Sequence, residues 1–222
     1  MPKIQRGFTL IETLVALTLF SFVITGVFMA VNRAYAFVQQ AKLNVIAMNL
    51  TREGVEMMYN IRDTNWKRRA GVKEDNWLRR NTFGDVDGFQ EGQLHVLFWG
   101  QTGTQMYATT KIIENCDKYD ASVLDFINNN DCTRDTILSF SGKVLLSGVW
   151  TSVSDLMEQE GKFYRVTKVI GLYNKRGDDA NITTDNSCKG CPKELRFCVK
   201  TFYAGVYFGA AELCSVMTNF RE

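Results

Sequence analysis

Histidine is almost missing from this chain: one residue, His95, among 222. It sits inside a short apolar stretch, where a lone histidine is more often a packed or edge residue than a base. No hydrolase motif, phosphate loop or dinucleotide fingerprint occurs. No catalytic residue, metal or cofactor is therefore assigned, and the expectation is that the chain is not an enzyme. Proline is scarce too, at 2 residues, and none lies between Asn32 and Ile61, so that stretch contains no helix breaker. An excess of one charge is also lacking. The formal net charge is +2, and Lys3 and Arg6 account for both excess cations. Beyond them the side chains balance near zero, which leaves no global basic signal for nucleic acid.

What is present stands at the front: Lys3-Ile4-Gln5-Arg6-Gly7-Phe8-Thr9-Leu10-Ile11-Glu12. A short basic segment ends at Gly7. An apolar run of 24 residues then extends from Phe8 to Val31, with Glu12 as its one charge. At ~1.5 Å rise per residue such a helix crosses a ~30 Å hydrocarbon core with some tilt. A carboxylate near its start is costly in lipid and usually has a partner. An ordinary secretory signal, cut at Ala34-Tyr35-Ala36, is one rival reading. The length of the apolar run, the carboxylate inside it and Arg33 beside the supposed cut all count against it. A plain anchor that is never cut explains the length but neither Glu12 nor the placement of Gly7-Phe8.

Gly7 followed by Phe8-Thr9-Leu10-Ile11-Glu12 and a long apolar helix resembles the type IV prepilin leader, shared by the pseudopilins of type II secretion. The resemblance covers about residues 1 to 62. It implies that a prepilin peptidase cuts after Gly7 on the cytoplasmic side and that Phe8 becomes the N-methylated first residue. It implies that Glu12, fifth in the mature chain, matches the terminal amine of a neighbouring subunit during assembly. The implied partners are other pilin or pseudopilin subunits, the peptidase and an inner-membrane assembly platform. The implied location is the cytoplasmic membrane, single-pass, with the globular part outside the cytoplasm, followed by a filament at the cell surface or in the periplasm. The proline that often kinks this helix in major pilins is absent, which favours a minor pilin or pseudopilin.

Helical periodicity continues past the apolar run. Leu43, Ile46, Ala47, Leu50, Gly54, Met57 and Ile61 form one stripe. Lys42, Asn49, Glu53, Glu56 and Asn60 face the other way. A second apolar flank carries Ala41, Met48, Val55 and Met58, so the helix needs two surfaces to pack against. Phe8 to Arg62 reads as one helix, with Gly26 and Gly54 as weak points of ~1 kcal/mol each relative to alanine. Asp63-Thr64-Asn65 ends the pattern, and a long connecting loop follows to about residue 92. Strand signals then appear at Leu94–Trp99, Lys143–Trp150, Lys162–Tyr173, Glu194–Tyr203 and Glu212–Phe220. In Lys162–Tyr173 the residues Tyr164, Val166, Lys168, Ile170 and Leu172 are expected on one face. The expected class is α+β, pilin-like, with a long helix of membrane and amphipathic halves laid against an antiparallel sheet. The expected divisions are 1–7 leader, 8–31 membrane or filament-core helix, 32–62 amphipathic continuation and 63–222 globular β-rich domain.

All 6 cysteines lie in the globular part: Cys116, Cys132, Cys188, Cys191, Cys198 and Cys214. An even count on the side expected outside the cytoplasm reads as disulfides. Fifteen connectivities exist in principle. Cys116 and Cys132 bracket a polar loop, and Cys198 and Cys214 lie symmetrically about Val206, where a hairpin would bring them together. Cys188-Lys189-Gly190-Cys191 has two other readings, a redox pair and part of a zinc site with Cys198 and Cys214, but the surroundings fit neither well.

Lys67-Arg68-Arg69 with Lys73, Arg79 and Arg80 form one local basic cluster, read first as a solvated loop and second as a contact for DNA or an anionic surface. Asp85, Asp87 and Glu91, and separately Asp178, Asp179, Asn181 and Asp185, read as solvated turns rather than calcium loops. The sequence thus points to a structural subunit of a type IV pilus-like or type II secretion-like filament. The alternatives are a membrane-anchored extracytoplasmic adhesive or nucleic-acid-binding protein, and a secreted thiol-disulfide enzyme using Cys188 and Cys191.

Overall fold

The computed structural model describes residues 9–68, 88–102, 105–134, 136, 143–146, 149–152, 162–173, 193–204 and 207–218. The chain forms two units, Met1–Lys42 and Leu43–Glu222. Helix α1 (Leu10–Arg68) has residues in both. In the first unit every side chain from Leu10 to Val31 is exposed. Backbone pairing within the helix satisfies its own polar groups, so this stretch needs no other chain to be stable in an apolar medium.

In the second unit the chain continues as β1 (Leu94–Thr102), β2 (Gln105–Ile112), α2 (Val123–Asn128), α3 (Asn130–Thr133), β3 (Lys143–Leu146), β4 (Val149–Ser152), β5 (Lys162–Tyr173), β6 (Glu194–Ala204) and β7 (Phe208–Thr218). Five strands form one sheet in the order β2-β1-β5-β6-β7, and every neighbouring pair is antiparallel. β3 and β4 form a separate two-stranded ladder. The class is α+β, a long helix packed on an antiparallel sheet.

The stripe expected on the helix is the one that is buried. Val55, Met57, Met58 and Ile61 pack with Leu97, Val169, Phe197, Val199 and Met217. Leu43, Ala47 and Leu50 pack with Phe163, Tyr203 and Ala211. The second flank divides: Val55 and Met58 join this core, while Met48 stays exposed. The opposite face of the sheet is covered as well. Tyr119, Phe126 and Cys132, from the segment containing α2 and α3, pack on Leu94, Tyr164, Val166 and Phe202. Phe126 stacks on Phe202 with ring centroids 3.9 Å apart. Side chains cap both short helices. The Ser122 hydroxyl accepts from the Asp125 amide, and the Asn129 side chain accepts from the amides of Asp131 and Cys132.

Several elements differ from the sequence reading. α1 runs six residues past Arg62, because Asn65 is buried one turn beyond Ile61 and Trp66 packs on the same core. Tertiary contact outweighs the weak helix propensity of Asp63-Thr64-Asn65. β2 was not expected, since Gln105–Ile112 is rich in threonine and shows little apolar alternation. Lys143–Trp150 holds parts of two strands rather than one, β3 and β4, paired antiparallel from Lys143↔Ser152 to Leu146↔Val149. β5 does not keep one face throughout. A register shift between Val169 and Gly171 leaves Ile170 exposed and puts Leu172 into the core shared with Val169, as a bulge does. β7 starts at Phe208 rather than Glu212. Gly209 lies against the Tyr203 ring, where a Cβ would collide, so a low-propensity residue is admitted by packing.

Candidate functional site

Helix α1 starts at a definite point. The Thr9 carbonyl accepts from the amides of Glu12 at 3.0 Å and Thr13 at 3.3 Å. Glu12 therefore lies in the first turn, where unpaired N–H groups and the helix dipole favour a negative charge. Its side chain is exposed. Four hydroxyls that share this apolar run bond within the helix. Thr13 donates to the Leu10 carbonyl, Thr18 to Val15, Ser21 to Leu17 and Thr25 to Ser21, at 2.8–2.9 Å. What remains on the segment is apolar surface and one carboxylate. Gly7 and Phe8, the expected cleavage and methylation positions, lie outside the described residues.

The second half of the helix reaches every strand of the five-stranded sheet with a polar contact. The Ala108 amide of β2 donates to the Asn60 side chain at 3.2 Å. On β1, the Trp99 indole donates to Glu53 at 3.2 Å. Arg165 of β5 donates to the Leu50 carbonyl at 3.1 Å and to Glu53 at 2.9 Å. Thr51 donates to Thr201 of β6 at 2.8 Å, and the Tyr59 hydroxyl donates to the Val216 carbonyl of β7 at 3.0 Å. Arg165 is the centre of this set. Burial pushes its guanidinium below its usual value, and the Glu53 carboxylate opposes that shift. Gly54 makes room for it: a Cβ there would come within 3.0 Å of Arg165 Cδ and 2.7 Å of Val199 Cγ1. Sequence reading counted Gly54 as a weak point. A glycine inside an apolar stripe is also the signal of a close approach, and here that is its role. The partnership of Glu53 with Arg165 had no signal in the sequence, since the two lie on separate elements.

The structure pairs Cys116 with Cys132 and Cys198 with Cys214. No described cysteine is free. Cys188 and Cys191 lie outside the described residues. Cys198, Glu212 and Cys214 bring potential ligand atoms within 4.8 Å of one another. Both sulfurs are tied up in a bridge, however, and Glu212 accepts from the Tyr119 hydroxyl at 2.9 Å. In this state the cluster offers no thiolate to a metal. His95 is buried on β1 with its ring edge-on to Phe89, centroids 5.1 Å apart, a packed position rather than that of a base. Of the basic cluster, Lys67 and Arg68 end α1. Its other members lie outside the described residues, as do Asp85, Asp87, Asp178, Asp179, Asn181 and Asp185. Glu91 sits in an exposed turn.

The family model described as the prokaryotic N-terminal methylation motif matches residues 2–28. This match supports a precursor of the type IV pilin or pseudopilin kind, and it points to a structural subunit. One helix among the described residues is long and apolar enough to cross a membrane, and it lies near the N-terminus. Motif and helix together are consistent with a single-pass, membrane-anchored protein. No curated protein and no solved structure matches the chain.

Proposed function

We propose that this chain is a minor pilin or pseudopilin, a structural subunit of a type IV pilus-like or type II secretion-like filament. The observation that carries the proposal is the methylation motif at residues 2–28 running into a helix whose side chains stay exposed from Leu10 to Val31, with Glu12 as the one charge. In this reading residues 1–7 are the leader, prepilin peptidase cuts after Gly7, and Phe8 is methylated. The subunit waits in the cytoplasmic membrane with residues beyond the helix outside. The bridged cysteines of the second unit suit an oxidising compartment. An assembly platform then moves the subunit into a filament, where the apolar run passes from lipid to neighbouring helices.

Glu12 has a specific part in this scheme. Alone in lipid its charge is unfavourable. Beside the terminal amine of Phe8 in an adjacent subunit it gains on the order of 4 kcal/mol at ~4 Å and an effective dielectric of 20, before desolvation is subtracted. That gain exists only in one axial register. Glu12→Ala should insert in the membrane as well as the native chain does, yet be depleted from filaments. The measurement is the protein in sheared filaments relative to that in membranes. Equal ratios for variant and native chain would remove Glu12 from assembly. Native chain missing from the sheared fraction altogether would favour an anchored adhesive protein instead.

A further inference from the structure

The two described disulfides close loops of equal length, with a sequence separation of 16 in each case. The restraint each places on the unfolded chain is therefore similar, and they differ in the native state. Cys132 is fully buried in the layer over the sheet. Its bridge to Cys116 ties the α3 segment to the chain leaving β2, and no strand ladder joins these two residues. Cys198 and Cys214 are direct partners inside the β6–β7 ladder, with further register pairs on both sides, from Glu194↔Thr218 to Ala204↔Phe208. The ladder holds them opposite each other whether or not their sulfurs are bonded. Their access differs as well. β7 is an edge strand, and Cys214 is exposed while Cys198 is buried. Ser215 bonds Tyr59 of α1, so its neighbour Cys214 points to the face away from α1.

An exposed cysteine in a bridge that the backbone does not need is open to a thiolate, because exchange depends on access. We propose that Cys198–Cys214 is a thiol-exchange site, opened by a dithiol through attack at Cys214 Sγ while the fold stays closed. In the first step the attacking thiolate bonds to Cys214 Sγ, the Cys198–Cys214 bond breaks, and Cys198 leaves as a thiolate that takes a proton from water. In the second step the other thiol of the reductant, deprotonated, attacks its own sulfur in the mixed disulfide. Cys214 then leaves as a thiolate and is protonated. Two electrons and two protons pass to the cysteine pair, and the reductant becomes a disulfide. An oxidised dithiol partner runs the same steps backwards. The bridge Cys116–Cys132 is less open to attack, since Cys132 is fully buried and Cys116 is itself partly buried against the same cluster, whereas Cys214 is exposed.

The test uses the full chain in detergent micelles, treated with limiting dithiothreitol and quenched at intervals with iodoacetamide. Tryptic peptides separate the sulfurs: Phe197–Lys200 carries Cys198, Thr201–Arg221 carries Cys214, Ile112–Lys118 carries Cys116 and Tyr119–Arg134 carries Cys132. Cys198 and Cys214 should be labelled about tenfold or more faster than Cys116 and Cys132, as access controls exchange. Near-UV circular dichroism should persist through that phase, and about 1 M urea should leave the fast rate unchanged, since no surface is exposed in the step. The Cys198→Ser/Cys214→Ser variant should lose the fast phase and still unfold cooperatively. Equal labelling of all four sulfurs together with loss of the dichroism would overturn the proposal, as would earlier labelling of Cys116 and Cys132.

Discussion

Gly54 shows how one missing side chain sets the distance between a helix and a sheet. A methyl group there would meet Val199 Cγ1 at 2.7 Å and Arg165 Cδ at 3.0 Å. Helix propensity alone predicts that Gly54→Ala stabilises by ~1 kcal/mol. Overpacking costs ~1–3 kcal/mol, and here Arg165 has little room to move because its guanidinium already donates to Leu50 and Glu53. The net expectation is no gain in stability, with a loss of up to about 2 kcal/mol. Gly26 has nothing within 4 Å, so Gly26→Ala meets no such clash. Urea unfolding of Gly54→Ala beside the native chain measures the balance. A stabilised Gly54→Ala would mean that helix and sheet are not in close contact at this point. Sequence periodicity placed Gly54 on the buried stripe correctly. It missed the reason for the glycine, because Val199 and Arg165 come from strands far along the chain.

Among the elements, the segment carrying α2 and α3 acts as a second cover for the sheet. One polar tie holds it to β7, the Tyr119 hydroxyl on Glu212 at 2.9 Å. Lys168 and Lys200 add their ammonium groups over the Tyr119 ring at 5.0 and 5.1 Å. Burial, followed by the nearby Glu212 charge, holds the Tyr119 phenol well above its ordinary value of 10.0. The sign is as follows. Below pH 10 both folded and unfolded chains keep the proton, and the contribution of this contact is fully present. As pH rises past 10 the unfolded tyrosine ionises and the folded one does not, so stability falls by up to about 1.4 kcal/mol per pH unit for this group. Tyr164 and Tyr203 are raised by burial in the same direction. The melting temperature should therefore drop above pH 10, and Tyr119→Phe should drop less steeply. An identical slope for variant and native chain would place the alkaline sensitivity elsewhere.

At the scale of the whole molecule, the two units differ in what they bury. The first exposes an apolar surface from Leu10 to Val31 with Glu12 as its one charge, while the second encloses its own core between α1, the sheet and the α2–α3 layer. That contrast suits a chain whose first part is meant for lipid or for other helices. Processing is the direct check. The cut proposed after Gly7 needs a small residue where the peptidase approaches the backbone, so a bulky substitution at Gly7 should leave the precursor inserted and uncut. Mass spectrometry of the native product should find an N-methylated Phe8. An amino terminus at Phe37 would instead identify a secretory signal.

Residue order alone determined the long apolar helix with its one carboxylate, the buried stripe from Leu43 to Ile61 and the strands near Leu94, Lys162 and Glu194. In each, a periodic run of side chains is long enough for local pattern to name the element. It also marked Gly7, Phe8 and Glu12, since that motif is contiguous. Tertiary structure decided the rest. β2 and the start of β7 are fixed by the partner strands that complete their hydrogen bonds, since Gln105–Ile112 shows little apolar alternation and Gly209-Ala210-Ala211 has low strand propensity. The last turns of α1 hold because Asn65 and Trp66 find a core. Arg165 meets Glu53, and Tyr119 meets Glu212, only once distant segments are packed. The two disulfides belong between these cases. Spacing suggested both pairings, but only the fold shows that one lies inside a ladder and the other within the layer over the sheet. Loop length is the same for the two, and their surroundings alone set them apart.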